Sequence, residues 1–354
     1  MNPRGVRLAA LLLAAGGAAR PVVAGAPPSP SYALQVAPAQ TIDAEMTLDV
    51  RAPLMRAEEW IVFAAQAPDL PGQRATRSVL EPAGSLIYEL SPLHRGVLMA
   101  RVPLRFWNAK DAITIKVRYQ ATLLSRHLAA LPAGAPSPAV APDLVEQQSA
   151  LAAGSFFDFE SAEFQAWLSS AALRRNAAES DLDYARRVFL HIKRSFGHEF
   201  LSRVSLRASF VCRRGRSDCG GLSVLFASAM RAHGIPARVL LGRWAASSQP
   251  GERVGEREYF QEHAKAEFYA RGVGWVPVDQ SAAIQADRSP EGLQYFGHDA
   301  GDFLTMHVDF DLLLDTVHFG QQTIEWMQQP AYWVTGSGYL ARAVNRLEWK
   351  VTAR

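Results

Sequence analysis

SDCGGLSVLFASAMRAHGIPARVLLG, residues 217–242, sets a single cysteine between a polar loop and an apolar run that stops at Gly234 and Pro236. Leu222, Leu225, Phe226, Ala229 and Met230 recur at helical spacing, so the run predicts an amphipathic helix ended by the usual glycine and proline stop signals. Cys219 falls at its first turn. A helix N-terminus carries about half a positive charge and unpaired N–H groups, which favours thiolate over thiol and offers donors to an oxyanion. Beyond Pro236 the pattern turns strand-like over Ala237 to Trp244.

Further strands are predicted at Ala264–Ala270, at Trp275–Val278 and over Met306–Leu314, where Val308, Phe310 and Leu312 alternate. Upstream, Phe157, Phe164, Trp167 and Leu168 suggest one helix. Leu182, Ala185, Val188, Phe189, Ile192 and Phe196 suggest a longer one entered at Ser180, with Asp183 three residues on. Helices followed by strands in one segment indicate an α+β arrangement.

Nearer the N-terminus the period is two. Ile42, Ala44, Met46, Leu48 and Val50 alternate with Asp43, Glu45, Thr47 and Asp49, and Ile113, Ile115, Val117 and Tyr119 alternate with Thr114, Lys116 and Arg118. With shorter runs near Ile61–Phe63, Leu86–Leu90 and Leu98–Phe106, these predict an antiparallel β-sandwich over residues 31–126. The uncharged stretch LPAGAPSPAVAP (131–142) lies in an expected Pro/Ala-rich linker, residues 127–150, ahead of a second domain over 151–338. In the tail, 339–354, Arg342, Arg346, Lys350 and Arg354 are spaced four apart. That spacing suggests a short amphipathic helix with a solvated face.

Sulfur attacks an acyl carbon well only as thiolate, so Cys219 needs a histidine to take its proton and return it to the leaving group. His263 is the candidate base, and Asp279, sixteen residues on, is the candidate orienter of its ring. Gly272 and Gly274 between them allow two antiparallel strands joined by a turn. The run quoted above, followed by HAKAEFY (263–269) and GVGWVPVDQS (272–281), resembles the transglutaminase-like superfamily over about residues 180–285. The resemblance implies an exported bacterial type with a papain-like α+β core behind the sandwich: Cys219 as nucleophile, His263 as general base, Asp279 as orienter, and a substrate offering an amide. Asp218 resembles the family's acidic neighbour of the cysteine. Lys265 departs from it, because many members carry tryptophan there, and is expected to alter the substrate groove. Gly234-Ile235-Pro236-Ala237-Arg238 is similar to the family's turn from helix to strand.

At 354 residues, 49% of them hydrophobic and 20% charged, the chain has material for two cores and excludes wholesale disorder. Arg4, Arg7 and Arg20 account for the formal charge of +3, so nothing argues for nucleic-acid binding. Those arginines flank an apolar run, Leu8 to Ala19, and Ala24-Gly25-Ala26 follows, which predicts a secretory signal over residues 1–26 and an exported, periplasmic or extracellular protein without a membrane span after processing. In such a compartment Cys212 and Cys219, the two cysteines of the chain, are an alternative disulfide.

Their spacing does not fit zinc, His198-Glu199 lacks the second histidine of a metalloprotease motif, and Gly215 to Gly221 lacks the lysine of a phosphate loop, so no metal or cofactor is expected. Trp326, Tyr332, Trp333 and Tyr339 read as core packing or a sugar-stacking cleft, with packing favoured, and His298 and His307 as surface or packing residues. The expected partner is a peptide or protein substrate, with cell-wall peptide as one form. The competing class is a binding or scaffold protein that kept the fold without activity.

Overall fold

A computed structural model describes residues 31–104, 110–132, 141–200 and 204–354. The expected signal, 1–26, lies outside them, as does most of the stretch 131–142. The fold is α+β with antiparallel sheets.

The alternating run around Ile42 forms strand Tyr32–Arg51, and its apolar positions from Ile42 to Val50 are all buried. It lies between Ala112–Ala130 and Val344–Ala353, and Gln73–Glu81 pairs the outer side of Ala112–Ala130. A second sheet runs Ala331–Gly338, Met55–Ala65, Gly96–Pro103, Ser85–Tyr88. Met46, Leu48, Val117, Trp60, Val62 and Trp349 fill the space between the two sheets, as facing apolar rows do in a sandwich.

Several expectations are corrected here. The tail does not form an amphipathic helix: Val344–Ala353 is a strand, with Leu347 and Trp349 buried and Arg346, Glu348 and Lys350 exposed. A spacing of four is a multiple of two as well as close to one helical turn, so basic residues so placed share a face in either structure. Both sandwich sheets therefore contain strands from beyond residue 330, and the sandwich is not confined to 31–126. The single strand expected over Met306–Leu314 is broken into Phe303–Val308 and Leu312–Asp315. Asp309 and Asp311 adopt positive φ between them, where the Arg95 guanidinium collects the carbonyls of residues 308 to 311. The expected linker likewise ends in a short helix, Leu144–Ser149, capped by Asp143.

In the second region, a sheet ordered Gly274–Val278, Glu262–Ala270, Ala237–Trp244, Phe303–Val308 packs against helices. Helix Asp181–Ser195 starts at Ser180, whose hydroxyl accepts the Asp183 N–H as expected of the cap. Helix Cys219–Arg231 is buried on every face after its first residue. An apolar helix of this kind belongs in the middle of a core: here Val188, Phe189 and Ile192 cover one side, and Ala264, Ala266 and Phe268 of the sheet the other.

Candidate active site

Asp218 caps the central helix, its carboxylate accepting the Gly221 N–H at 3.0 Å. Gly221 owes its identity to close approach: a Cβ there would sit 2.1 Å from Ser217 Oγ, so only glycine lets the preceding loop fold against the helix start. Cys219 follows the cap and is half-buried. The backbone N–H groups of Ala264 and Gly220 favour its thiolate form, and Ser223 Oγ donates to the Ala264 carbonyl at 3.3 Å, which sets this end of the helix beside the residue after His263.

Burial pushes the Cys219 thiol up, the neighbouring Asp218 carboxylate pushes it further, and the two N–H groups only partly oppose them. Desolvation and the Asp218 charge thus oppose the pull of the helix start, and the sulfur needs the expected base to take its proton.

His263 is the second residue of strand Glu262–Ala270, and the pairing Ala266↔Val278 carries Asp279, just past the neighbouring strand, to the level of Lys265, two residues from His263. His263 Nε2 lies 2.7 Å from Asp279 Oδ2, with both residues buried. The two carboxylate oxygens divide their work: Oδ1 accepts the Ala282 N–H and the Ser281 hydroxyl, capping helix Gln280–Ala286 and leaving Oδ2 for the imidazole. Burial alone would raise Asp279. The charge and hydrogen bond of His263, the Lys265 ammonium and the Ala282 N–H outweigh it and hold the carboxyl below the usual range. As a carboxylate it accepts from Nε2–H, which leaves Nδ1 as the basic nitrogen.

Of the three residues singled out by sequence, His263 and Asp279 are joined directly and Cys219 opens the helix packed beside their strand; further residues that sequence reasoning passed over enclose the histidine. Trp244 stacks on its ring at 4.3 Å and 22°, Phe303 meets it edge-on at 5.8 Å, and Gln328 Nε2 donates to the His263 carbonyl at 2.8 Å and the Gly242 carbonyl at 2.6 Å. The register His263↔Gly242 and Trp244↔Phe303 makes this enclosure. The signal available beforehand was Trp244 at the end of a predicted strand.

Elsewhere the structure separates candidates from the site. Cys212 and Cys219 are free thiols, and burial raises Cys212 to about 11. Trp326, Tyr332 and Trp333 pack on Phe310, Trp60 and Phe63, whereas Tyr339 is exposed. His298 lies at the surface against His127, and His307 is fully enclosed. Among the described residues no three His, Cys, Asp or Glu side chains converge as metal ligands, and no helix is long and apolar enough to cross a membrane.

Residues 170–280 match the family model of the transglutaminase-like superfamily. The segment holding Cys219, His263 and Asp279 is thus a transglutaminase-like core, a fold typical of cysteine-based enzymes. A candidate cysteine protease from Cytophaga hutchinsonii shares the fold at 10% identity and a TM-score of 0.54, over 90% of this chain and 92% of its own. The periplasmic domain of TgpA from Pseudomonas aeruginosa aligns at 14% identity over 73% of this chain and 93% of its own, with a TM-score of 0.35. No curated protein matches the chain.

Proposed function

We propose that this protein is an exported thiol enzyme acting on amide bonds through Cys219, His263 and Asp279. The observation that carries the reading is the 2.7 Å bond between His263 Nε2 and Asp279 Oδ2, made from the strand whose Ala264 carbonyl is bonded by Ser223 of the helix that Cys219 opens. In the proposed cycle His263 Nδ1 takes the thiol proton as sulfur bonds to the carbonyl carbon. The backbone N–H of Cys219 is the available donor to the oxygen that becomes negative. The imidazolium then protonates the leaving nitrogen, the C–N bond breaks, and ammonia or an amine departs from a thioester. Water, deprotonated by His263, attacks that thioester to give a carboxylate and restore the thiol; a primary amine attacking instead gives a new amide. We favour hydrolysis of peptide-type amides, cell-wall peptide among them, outside the cytoplasm after removal of residues 1–26.

The test is ammonia or amine release from a panel of amides, with and without added primary amine, by the full chain and by Cys219→Ser. Turnover lost in Cys219→Ser supports the reading, and incorporation of the amine assigns acyl transfer. Turnover that survives in Cys219→Ser sinks it.

A further inference from the structure

Lys265 stands two residues beyond His263 on one strand, so the two side chains leave the same face of the sheet. Only 5% of Lys265 is exposed. A buried ammonium is costly unless paired, and its Nζ lies 3.3 Å from Asp299 Oδ1 and 3.9 Å from Asp302 Oδ1. Asp299 is held in turn by Arg126 of the sandwich strand Ala112–Ala130, at 3.1 Å. The same guanidinium reaches back to Glu267, two residues past Lys265, at 2.7 Å. The other neighbours of the ammonium are aromatic: Nζ lies 5.0 Å from the Trp244 ring centre and 4.7 Å from that of Phe303. These are the two rings that enclose His263.

A hydrogen bond to Asp279 fixes one atom of the imidazole but leaves the ring free to swing about that contact. A stacked plane removes the swing. We propose that Lys265 and Trp244 are positioning residues for the His263 ring: the ammonium, anchored through Asp299 to Arg126 of the sandwich, draws Trp244 and Phe303 against the imidazole and keeps Nδ1 aimed at the sulfur. The sandwich is by this means part of the catalytic apparatus rather than an appended module. The proposal rests on reading Cys219, His263 and Asp279 as the reacting groups.

The experiment combines NMR with kinetics on the full chain. The imidazole C–H signals of His263, assigned by their loss in His263→Ala, carry the ring-current shift of the stacked indole. Lys265→Met is expected to move them toward their positions in Trp244→Leu and to lower kcat by about 10–100-fold with KM little changed, the loss that a small misplacement of a reacting group produces. Lys265→Arg should preserve both signals and kcat. The double variant Lys265→Met/Trp244→Leu should fall no further than Trp244→Leu, because the two act through one contact. Trp244→Leu leaves the ion pairs untouched, so it tests the clamp even where Lys265→Met fails to fold, and Trp244→Phe, which keeps a plane, should retain most activity. A folded Lys265→Met with unmoved His263 signals or wild-type kcat overturns the proposal, as do losses that multiply in the double variant or wild-type kcat in Trp244→Leu. An absence of amide turnover in the wild type would sink the proposed function instead; the His263 signals would still report whether the clamp exists.

Discussion

Burial and the adjacent Asp218 carboxylate push the Cys219 thiol up, so its reactivity near neutral pH depends on a base that accepts its proton. Alkylation by iodoacetamide at pH 7.5 is therefore expected to be fast in the wild type and about 100-fold slower in His263→Ala, with the variant's rate still climbing through pH 10 instead of reaching a plateau. Cys212, raised to about 11 by burial, should remain unlabelled in the native protein. Mass spectrometry of the two peptides checks both statements. Asp279→Asn offers a cleaner test of the orienter than alanine, because asparagine still caps helix Gln280–Ala286 while its amide no longer demands the Nε2–H tautomer. Turnover should fall about 100-fold or more with the melting temperature little changed; a variant that keeps wild-type turnover would remove Asp279 from the mechanism. The bonded pair His263 and Asp279, and Cys219 at its helix start, stand out in sequence because family-like words surround them. Trp244, Phe303 and Gln328 were not, since each meets His263 only through strand pairing between distant segments.

Elements with their own local signals were read well. Ser180, Asp218 and Gly234 mark helix ends by capping and by positive φ, and strand Ala237–Trp244 stands where it was predicted. Met306–Leu314 was misread because its alternation continues through a break made by non-local contacts, and His307 shows how. Its Nε2 accepts the Met327 N–H at 2.9 Å and its Nδ1 lies 3.0 Å from the Asp309 carbonyl, so the neutral ring ties the end of strand Phe303–Val308 to the segment that follows. Burial, helped by the Arg95 charge, lowers His307 to about 3 from an ordinary 6.5. The unfolded chain takes up this proton below about pH 6.5 and the folded one refuses it, so the group's contribution is complete above that pH and is lost as pH falls toward 3. His307→Gln should accordingly be less acid-sensitive. Between pH 6.5 and 4.5 the wild type is expected to lose about 2 kcal/mol more unfolding free energy than the variant, measured by urea titration at each pH. Equal losses would show that the ring is hydrated and titrates freely.

At the scale of the whole molecule, alternation announces that a strand is half-buried but not which partner covers it, so two regions in sequence order were legible and their shared sheets were not. Strand Val344–Ala353 pairs with Tyr32–Arg51 from Ile42↔Ala353 to Arg51↔Val344 and seats Trp349 between the sandwich sheets. Trp349 Nε1 also donates to the Trp244 carbonyl at 3.1 Å, so the last strand supports the residue that stacks on His263. A solvated terminal helix could be removed with little effect; this strand cannot. Trp349→Ala is expected to cost about 3–5 kcal/mol, the usual price of emptying a large aromatic site. Trp349→Phe, which keeps most of the burial but loses the bond to Trp244, should cost less in stability while still lowering kcat through a looser stack. Deleting residues 344–354 strips the pairing partner from half of strand Tyr32–Arg51 and exposes an apolar edge, so the shortened chain should aggregate or unfold. Urea unfolding for the two substitutions, and light scattering with dichroism for the deletion, provide the measurements; a deletion variant that stays folded, monodisperse and active would contradict the role of this strand.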